Sequence, residues 1–86
     1  MKSLEKILKA LANKRRLAIL AHIKKAKEAT VTDIARSIRL SVKSTSKHLA
    51  ILKAADILDH EQRSLQVYYR LGDDIPAAAR SIITIL

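Results

Sequence analysis

The chain has 86 residues and carries 17 Lys and Arg against 8 Asp and Glu, a formal net charge of +9. A chain of this length fits one domain, residues 1–86, whose own core is small, so a partner subunit would add stability. The excess of positive charge favours polyanionic partners, either nucleic acid or an anionic membrane surface. The absence of cysteine excludes disulfides and fits a reducing compartment, so we expect a cytoplasmic protein.

Two classes of partner fit the sequence poorly. No segment resembles a signal peptide or approaches the roughly 20 apolar residues of a membrane span, so we expect no membrane segment. Tyr68 and Tyr69 are the only aromatic residues, which are too few for the stacking platforms of RNA-binding sheets and single-strand binders. Duplex nucleic acid needs no such platform.

The N-terminal quarter predicts two helices from apolar residues that recur with a 3.6-residue period. Ser3 is placed to cap a helix over residues 3–11, and Asn13 to cap a second helix over residues 14–25. The second helix opens with basic residues, although positive charge is unfavourable at a helix N-terminus. Either this group contacts a nucleic-acid backbone or it is a solvated run of charge, and its members are Asn13, Lys14, Arg15 and Arg16.

The next two helices are joined by a very short connection. Thr30 is placed to cap the first of them, with Asp33 at the N3 position of a capping box, and Ser41 is placed to cap the second. Only residues 39–41 separate the two helices, so residues 30–55 predict a helix-turn-helix. On the second helix, Val42, Thr45, Leu49 and Leu52 form the stripe that we expect to be buried.

From residue 57 the period changes to two residues, which is typical of strands. Residues 57–71 predict a hairpin about the sequence EQRS, and the lack of glycine there favours a loop longer than two residues. The alternation places Leu65 and Tyr69 inward and Tyr68 outward, where its hydroxyl could reach a phosphate.

The last segment predicts a helix over residues 75–86. Asp73 or Asp74 is expected to cap it, with Pro76 in the first turn, where the missing N–H costs nothing. One face of this helix is apolar, and such a stripe marks an interface unless the helix folds onto its own core. The stripe consists of Ile75, Ala78, Ala79, Ile82, Ile83 and Leu86.

The predicted fold class is mainly α with a small β-hairpin, in the order α-α-α-α-β-β-α. Four segments of this order resemble ArsR-type winged helix-turn-helix repressors, namely LKALANKRRLAIL (8–20), TVTDIARSIRLS (30–41), STSKHLAILKAADIL (44–58) and VYYRL (67–71). The resemblance implies a homodimer formed by the first and last helices, so that Leu4, Ile7 and Leu8 join the interface. It also implies a recognition helix in the major groove and a hairpin wing on the DNA backbone or minor groove.

Three departures from the family pattern bear on regulation and fold. Many members sense metals through cysteines near the start of the third helix, and this chain has none. Others bind metal with Asp, His and Glu on the last helix, where no carboxylate or imidazole follows Asp74. Asp56 stands where a glycine usually ends the recognition helix, at a cost of roughly 1 kcal/mol. Asp59, His60 and Glu61 cannot converge on a metal, because His60 is expected to point away from its two neighbours on a strand. We therefore expect no metal and no cofactor.

The first half of the fourth helix combines positive charge with slim side chains, which lets a helix approach base edges closely. Lysines here can reach phosphates or guanine acceptors, and serine hydroxyls can bond either. His48 either touches a phosphate or packs against the neighbouring helix. The residues predicted to bind DNA are Ser41, Lys43, Ser44, Ser46, Lys47 and His48 on the helix, and Gln62, Arg63 and Ser64 on the wing.

These features predict a sequence-specific, double-stranded-DNA-binding transcriptional regulator that acts as a homodimeric repressor. The charge alone fits an architectural protein that binds DNA without sequence preference equally well. A third hypothesis is a protein-interaction module that keeps the winged helix without using it on DNA. An enzyme is not expected, because the sequence has no phosphate loop or convergent acid–base pair. The operator and any small-molecule effector are not encoded in a recognisable motif.

Overall fold

The computed structural model describes residues 3–86, so the expected domain start at residue 1 lies outside the described residues. The elements follow the predicted order with one additional strand. They are α1 (Leu4–Leu11), α2 (Lys14–Ala26), β1 (Glu28–Thr30), α3 (Val31–Ile38), α4 (Val42–Ala54), β2 (Leu58–Arg63), β3 (Gln66–Leu71) and α5 (Ala77–Thr84). The predicted class, mainly α with a small hairpin after a helix-turn-helix, is confirmed.

The first four helices begin where the sequence places their caps. The side-chain oxygens of Ser3, Asn13, Thr30 and Ser41 each accept a hydrogen bond from a backbone N–H in the first turn. The prediction for the last helix is wrong, because Pro76 occupies the cap position of α5 and no side chain caps it. Asp73 instead accepts a hydrogen bond from the Arg70 side chain at 3.3 Å.

The hairpin is the larger part of a three-stranded antiparallel sheet with strand order β1-β3-β2. In β1, which the sequence did not predict, Ala29 pairs with Tyr69 of β3. Three residues are too few to show a two-residue period, and this strand forms because β3 offers it a free edge. Tyr69 packs against the core, as predicted, and its ring centroid lies 5.4 Å from that of His60.

The wing turn is tighter than expected. Arg63 pairs with Gln66, which leaves only Ser64 and Leu65 in the turn, so the prediction of a longer loop is wrong. Ser64 takes a positive φ of 58°, the pattern of a type II′ turn, in which only the first central residue is left-handed. Leu65, predicted to face inward, is 95% exposed, because the turn carries it beyond the paired strands.

Among the described residues, one cluster of buried apolar side chains connects the helices and the sheet. From α4 it takes Leu49 and Leu52, and Thr45 on the same stripe is fully buried beside them. Val42, predicted to share that stripe, is 46% exposed, and its neighbours Ser41 and Lys43 at the start of α4 are exposed as well. After α4, Asp56 adopts a φ of 62°, the left-handed geometry expected where glycine is usual.

Within residues 3–86, the Thr45 hydroxyl has no hydrogen-bond partner although it is fully buried. Replacing Thr45 by Val keeps the shape and removes the desolvated hydroxyl, so we expect the free energy of unfolding to rise by about 1 kcal/mol. Urea denaturation at one fixed protein concentration measures the change.

The matched control is Thr32→Val on α3, because Thr32 is exposed. This substitution removes a hydroxyl that faces solvent and not the core. We expect this variant to keep the wild-type free energy of unfolding within about 0.5 kcal/mol. Equal gains in the two variants would mean that the burial of Thr45 is not the cause.

Candidate nucleic-acid interface

The solvent side of α4 carries the side chains that the sequence predicted to bind DNA. Lys43, Ser46 and Lys47 are exposed and Ser44 is half-buried, while Thr45 and Leu49 on the opposite side are fully buried. The face is therefore both accessible and built from short or cationic side chains. Val42 joins it as an apolar residue, which sequence reasoning missed because its spacing matches the buried stripe.

A tight turn holds α4 against α3. Arg39 ends α3 in the left-handed region at φ 57° and ψ 50°, and the backbone N–H of Leu40 donates to the Ala35 carbonyl at 3.0 Å. Ser41 then caps α4 by accepting from the backbone N–H of Ser44 at 3.1 Å. The Ser41 hydroxyl proton is not used by this bond and stays available to an acceptor.

His48 is tied to the first turn of α2. Arg16 donates from Nη1 to His48 Nδ1 at 3.1 Å, and from Nε to the Ala10 carbonyl at 2.6 Å. A guanidinium is always protonated, so Nδ1 must act as acceptor and the ring proton of a neutral His48 sits on Nε2. Of the two predicted roles, packing against the neighbouring helix is therefore the one that the contacts favour.

The basic start of α2 is mostly engaged by helix ends. Arg16 also donates to the Lys9 carbonyl at 3.2 Å, and Arg15 reaches the carbonyl of Ile38 at 3.5 Å. These carbonyls belong to the last turns of α1 and α3, where positive charge is favourable. The structure thus gives both arginines an internal contact that neither sequence interpretation considered, whereas Lys14 is exposed.

On the wing, Arg63 is held by carboxylates. Its guanidinium forms ion pairs with Glu28 of β1 and Glu61 of β2, and its Cζ lies 4.5 Å from the centroid of the Tyr68 ring. The hydrogen bond from Arg63 lowers the pKa of Glu28, and the two carboxylates raise the pKa of Arg63. The predicted DNA-binding residue is thus engaged within the sheet.

The other wing residues are turned toward each other. The Tyr68 hydroxyl donates to Gln66 Oε1 at 3.1 Å, and Gln62 Nε2 lies 3.4 Å from the Ser64 carbonyl. Gln62 and Ser64 are exposed at the tip, as a groove or phosphate contact requires.

The predicted dimer surface divides into two groups. Ile7, Ala79 and Ile83 are 5%, 0% and 5% exposed, because α1 and α5 pack on each other and bury these side chains within one chain. Their place at a dimer interface stays a prediction. The second group stays accessible, with Leu4, Leu8 and Leu86 exposed and Ile75, Ala78 and Ile82 half-buried. Ile85, which was not predicted, is 79% exposed.

The chain is similar to known helix-turn-helix proteins. A family model described as a helix-turn-helix domain matches residues 11–61, which include α3 and α4. The "Arsenical resistance operon repressor" of Escherichia coli (strain K12) is 34% identical over 77 residues, covering 90% of this chain and 66% of that protein.

Solved structures agree with the sequence match. Reduced HlyU from Vibrio cholerae N16961 superposes with a TM-score of 0.81 at 30% identity, covering 94% of this chain and 81% of that one. A homodimeric winged helix-turn-helix DNA-binding domain from Mycobacterium bovis, described as a possible ArsR-family transcriptional regulator, gives 0.82 at 30% identity, covering 95% and 73%.

The chain belongs to the ArsR-type winged helix-turn-helix family. It spans just under two thirds of the Escherichia coli repressor, 66% of its length. Within residues 3–86 of this ArsR-type chain, no three His, Asp or Glu residues are grouped so that they could hold a metal ion. No helix in the same range combines the length and the apolar character that crossing a bilayer requires.

His48 offers a test of the contact between α2 and α4. Burial, followed by the charges of Arg16 and Arg15, lowers the pKa of His48. We expect its imidazole to titrate below the ordinary value of about 6.5 in an NMR pH titration. The unfolded chain then binds more protons than the folded chain, so the free energy of unfolding falls as the pH drops through about 6.5.

Replacing Arg16 by Met removes a positive charge and the donor to Nδ1, so the titration midpoint of His48 should rise. Arg39→Met, which removes an exposed arginine from the helix-turn-helix connection, should leave the midpoint in place. A wild-type midpoint at or above 6.5 would contradict the assigned contact.

Proposed function

We propose that this chain is a sequence-specific double-stranded-DNA-binding transcriptional regulator that acts as a homodimeric repressor, with α4 inserted into the major groove. The observation that carries the proposal is the asymmetry of α4, whose buried stripe fixes the helix while the opposite face is exposed, slim and cationic. Slim side chains permit the close approach that base-edge contacts need. The likeness to a repressor and to a DNA-binding domain supports it.

Each residue of the exposed face has a contact that suits its chemistry. Lys43 and Lys47 bind phosphates or the O6 and N7 acceptors of guanine, and the hydroxyls of Ser41, Ser44 and Ser46 bind phosphates or base edges. Val42 packs against a thymine methyl group. His48 has only its Nε2 proton to offer to a phosphate, because Arg16 occupies Nδ1.

The homodimer uses the accessible apolar residues of α1 and α5, within the predicted dimerisation segments 3–11 and 75–86. Leu4 and Leu8 of α1 are 60% and 47% exposed, and Leu86, just after α5, is 39% exposed. The Mycobacterium bovis neighbour is described as homodimeric, which supports the same arrangement here. A two-fold axis would place two copies of α4 in major grooves about 10–10.5 bp apart on a pseudo-palindrome.

The DNA-binding proposal is tested by selecting bound duplexes from a random pool and titrating the selected sequence. We expect the selected duplex to bind at least ~10³-fold more tightly than a random duplex. If six phosphates are neutralised, the logarithm of affinity should fall against the logarithm of salt concentration with a slope of about −5. Equal affinity for both duplexes would favour the architectural alternative.

Lys47→Ala should weaken binding and reduce the magnitude of the salt slope by about 0.9, because one phosphate contact is lost. Lys25→Ala is the control, since Lys25 is exposed in the last turn of α2 beside Lys24, whose Nζ binds carbonyls at the end of α5. We expect the control to keep the wild-type slope. A wild-type slope in the Lys47 variant would remove this lysine from the site.

The dimer is tested by Leu8→Glu, which places a charge in the proposed apolar interface. We expect the variant to sediment as a monomer at concentrations where the wild type is a dimer, because a desolvated carboxylate opposes association. Analytical ultracentrifugation gives the two masses.

Leu65→Glu provides the control, because Leu65 is 95% exposed in the wing turn, outside the proposed interface. It should sediment as the wild type does. A Leu8→Glu protein that remains dimeric would exclude this face of α1 from the interface.

A further inference from the structure

The side chain of Arg63 runs back from the tip of the wing toward the body of the sheet. Its backbone pairs with Gln66 beside the turn, but its guanidinium lies over the ring of Tyr68, two residues further along β3. At about 3.3 Å of rise per residue, the guanidinium lies some 6–7 Å from the tip of the wing. A DNA contact by the wing, as predicted from the sequence, would need this charge at the tip.

The guanidinium has few donors left for another partner. Nε and Nη2 of Arg63 both donate to Glu61 Oε1, at 3.3 and 3.0 Å. Nη1 and Nη2 donate to the two carboxylate oxygens of Glu28, at 2.5 and 3.1 Å. A guanidinium carries five N–H groups, so these four bonds leave one free. We call Glu28, Glu61 and Arg63 the wing clasp.

The charge around the clasp is unfavourable to phosphate. On the same face of the sheet Asp59 and Asp73 pair with Arg70. Four carboxylates therefore surround two arginines, and these four are half of the 8 acidic residues of the chain. If Arg63 moved to a phosphate, Glu28 and Glu61 would lose their ion pairs beside the negative DNA backbone. The DNA would have to compensate for that repulsion as well as for two lost ion pairs.

We propose that Glu28 and Glu61 withhold Arg63 from DNA, so that the wing of the bound protein makes no arginine–phosphate contact while the clasp is closed. This inference rests on the proposed DNA-binding function and replaces the sequence-based prediction that Arg63 binds DNA. Glu28 acts as a positioning residue, because it is the member of the clasp that comes from β1, outside the hairpin, and ties the wing to the body.

The test compares salt-dependent duplex binding among full-chain variants. Glu28→Gln with Glu61→Gln replaces charge-assisted bonds by weaker neutral ones. The released Arg63 should then gain one phosphate, steepening the salt slope by about 0.9 and tightening binding several-fold at low salt. Arg63→Ala alone should keep the wild-type slope. Added to the double Gln variant, Arg63→Ala should abolish the gain.

Asp59→Asn with Asp73→Asn is the matched control, since it removes two negative charges from the same face and leaves the partners of Arg63 in place. Any gain in this variant comes from general electrostatics and from the released Arg70, so it should survive Arg63→Ala. A flatter slope for Arg63→Ala alone would overturn the proposal, because Arg63 would already contact phosphate in the wild type. A gain in the double Gln variant that persists without Arg63 would overturn it as well.

These results separate the clasp from the proposed function. Wild-type protein that binds no duplex contradicts the DNA-binding function. In that case the double Gln variant tests the clasp by itself. If this variant acquires Arg63-dependent binding to a random duplex, the clasp is upheld. If it acquires none, the clasp is overturned. Wild-type protein that binds with an unchanged slope in every wing variant upholds the function and overturns the clasp.

Discussion

The burial of one side of α4 is the constraint on which the rest of the structure depends. Thr45, Leu49 and Leu52 are fully buried, and this fixes the rotation of the helix about its own axis. Once that rotation is set, Lys43 and Lys47 can only face solvent. The core tolerates an unpartnered hydroxyl at Thr45 within this stripe, which indicates that packing rather than polar complementarity holds the helix in place.

Arg16 extends this constraint to the rest of the chain. It binds the last carbonyls of α1 and the imidazole of His48, and thereby joins a helix of the proposed dimer interface to the proposed recognition helix. At the other end of α2, Lys24 donates to the carbonyls that end α5. One helix therefore ties both proposed dimerisation helices to the body, so the spacing of two α4 helices in a dimer would follow from interface geometry.

Local chemistry made the first half of the fold predictable, and tertiary contacts explain the errors. Ser3, Asn13, Thr30 and Ser41 cap their helices as expected, because a cap is decided within a few residues. The strand β1 and the positions of Val42 and Leu65 depend on where the core ends, and spacing alone does not contain that information. For the same reason the apolar stripes of α1 and α5 could not be divided into core and surface before their mutual packing was known.

The charged residues show most clearly what the sequence does not contain. The net charge of +9 is a property of the whole chain and does not show which cations are engaged by other residues. Basic residues are abundant at the start of α2, on α4 and on the wing, yet Arg15, Arg16 and Arg63 are engaged by carbonyls or carboxylates. The lysines of α4 lie on a face with no carboxylate among its own side chains. A phosphate must compete with the partners that a cation already has within the protein. A cation without such a partner binds phosphate without first breaking another contact. For this reason we propose the phosphate contacts on α4, and the number of arginines on the wing does not predict how the wing binds DNA.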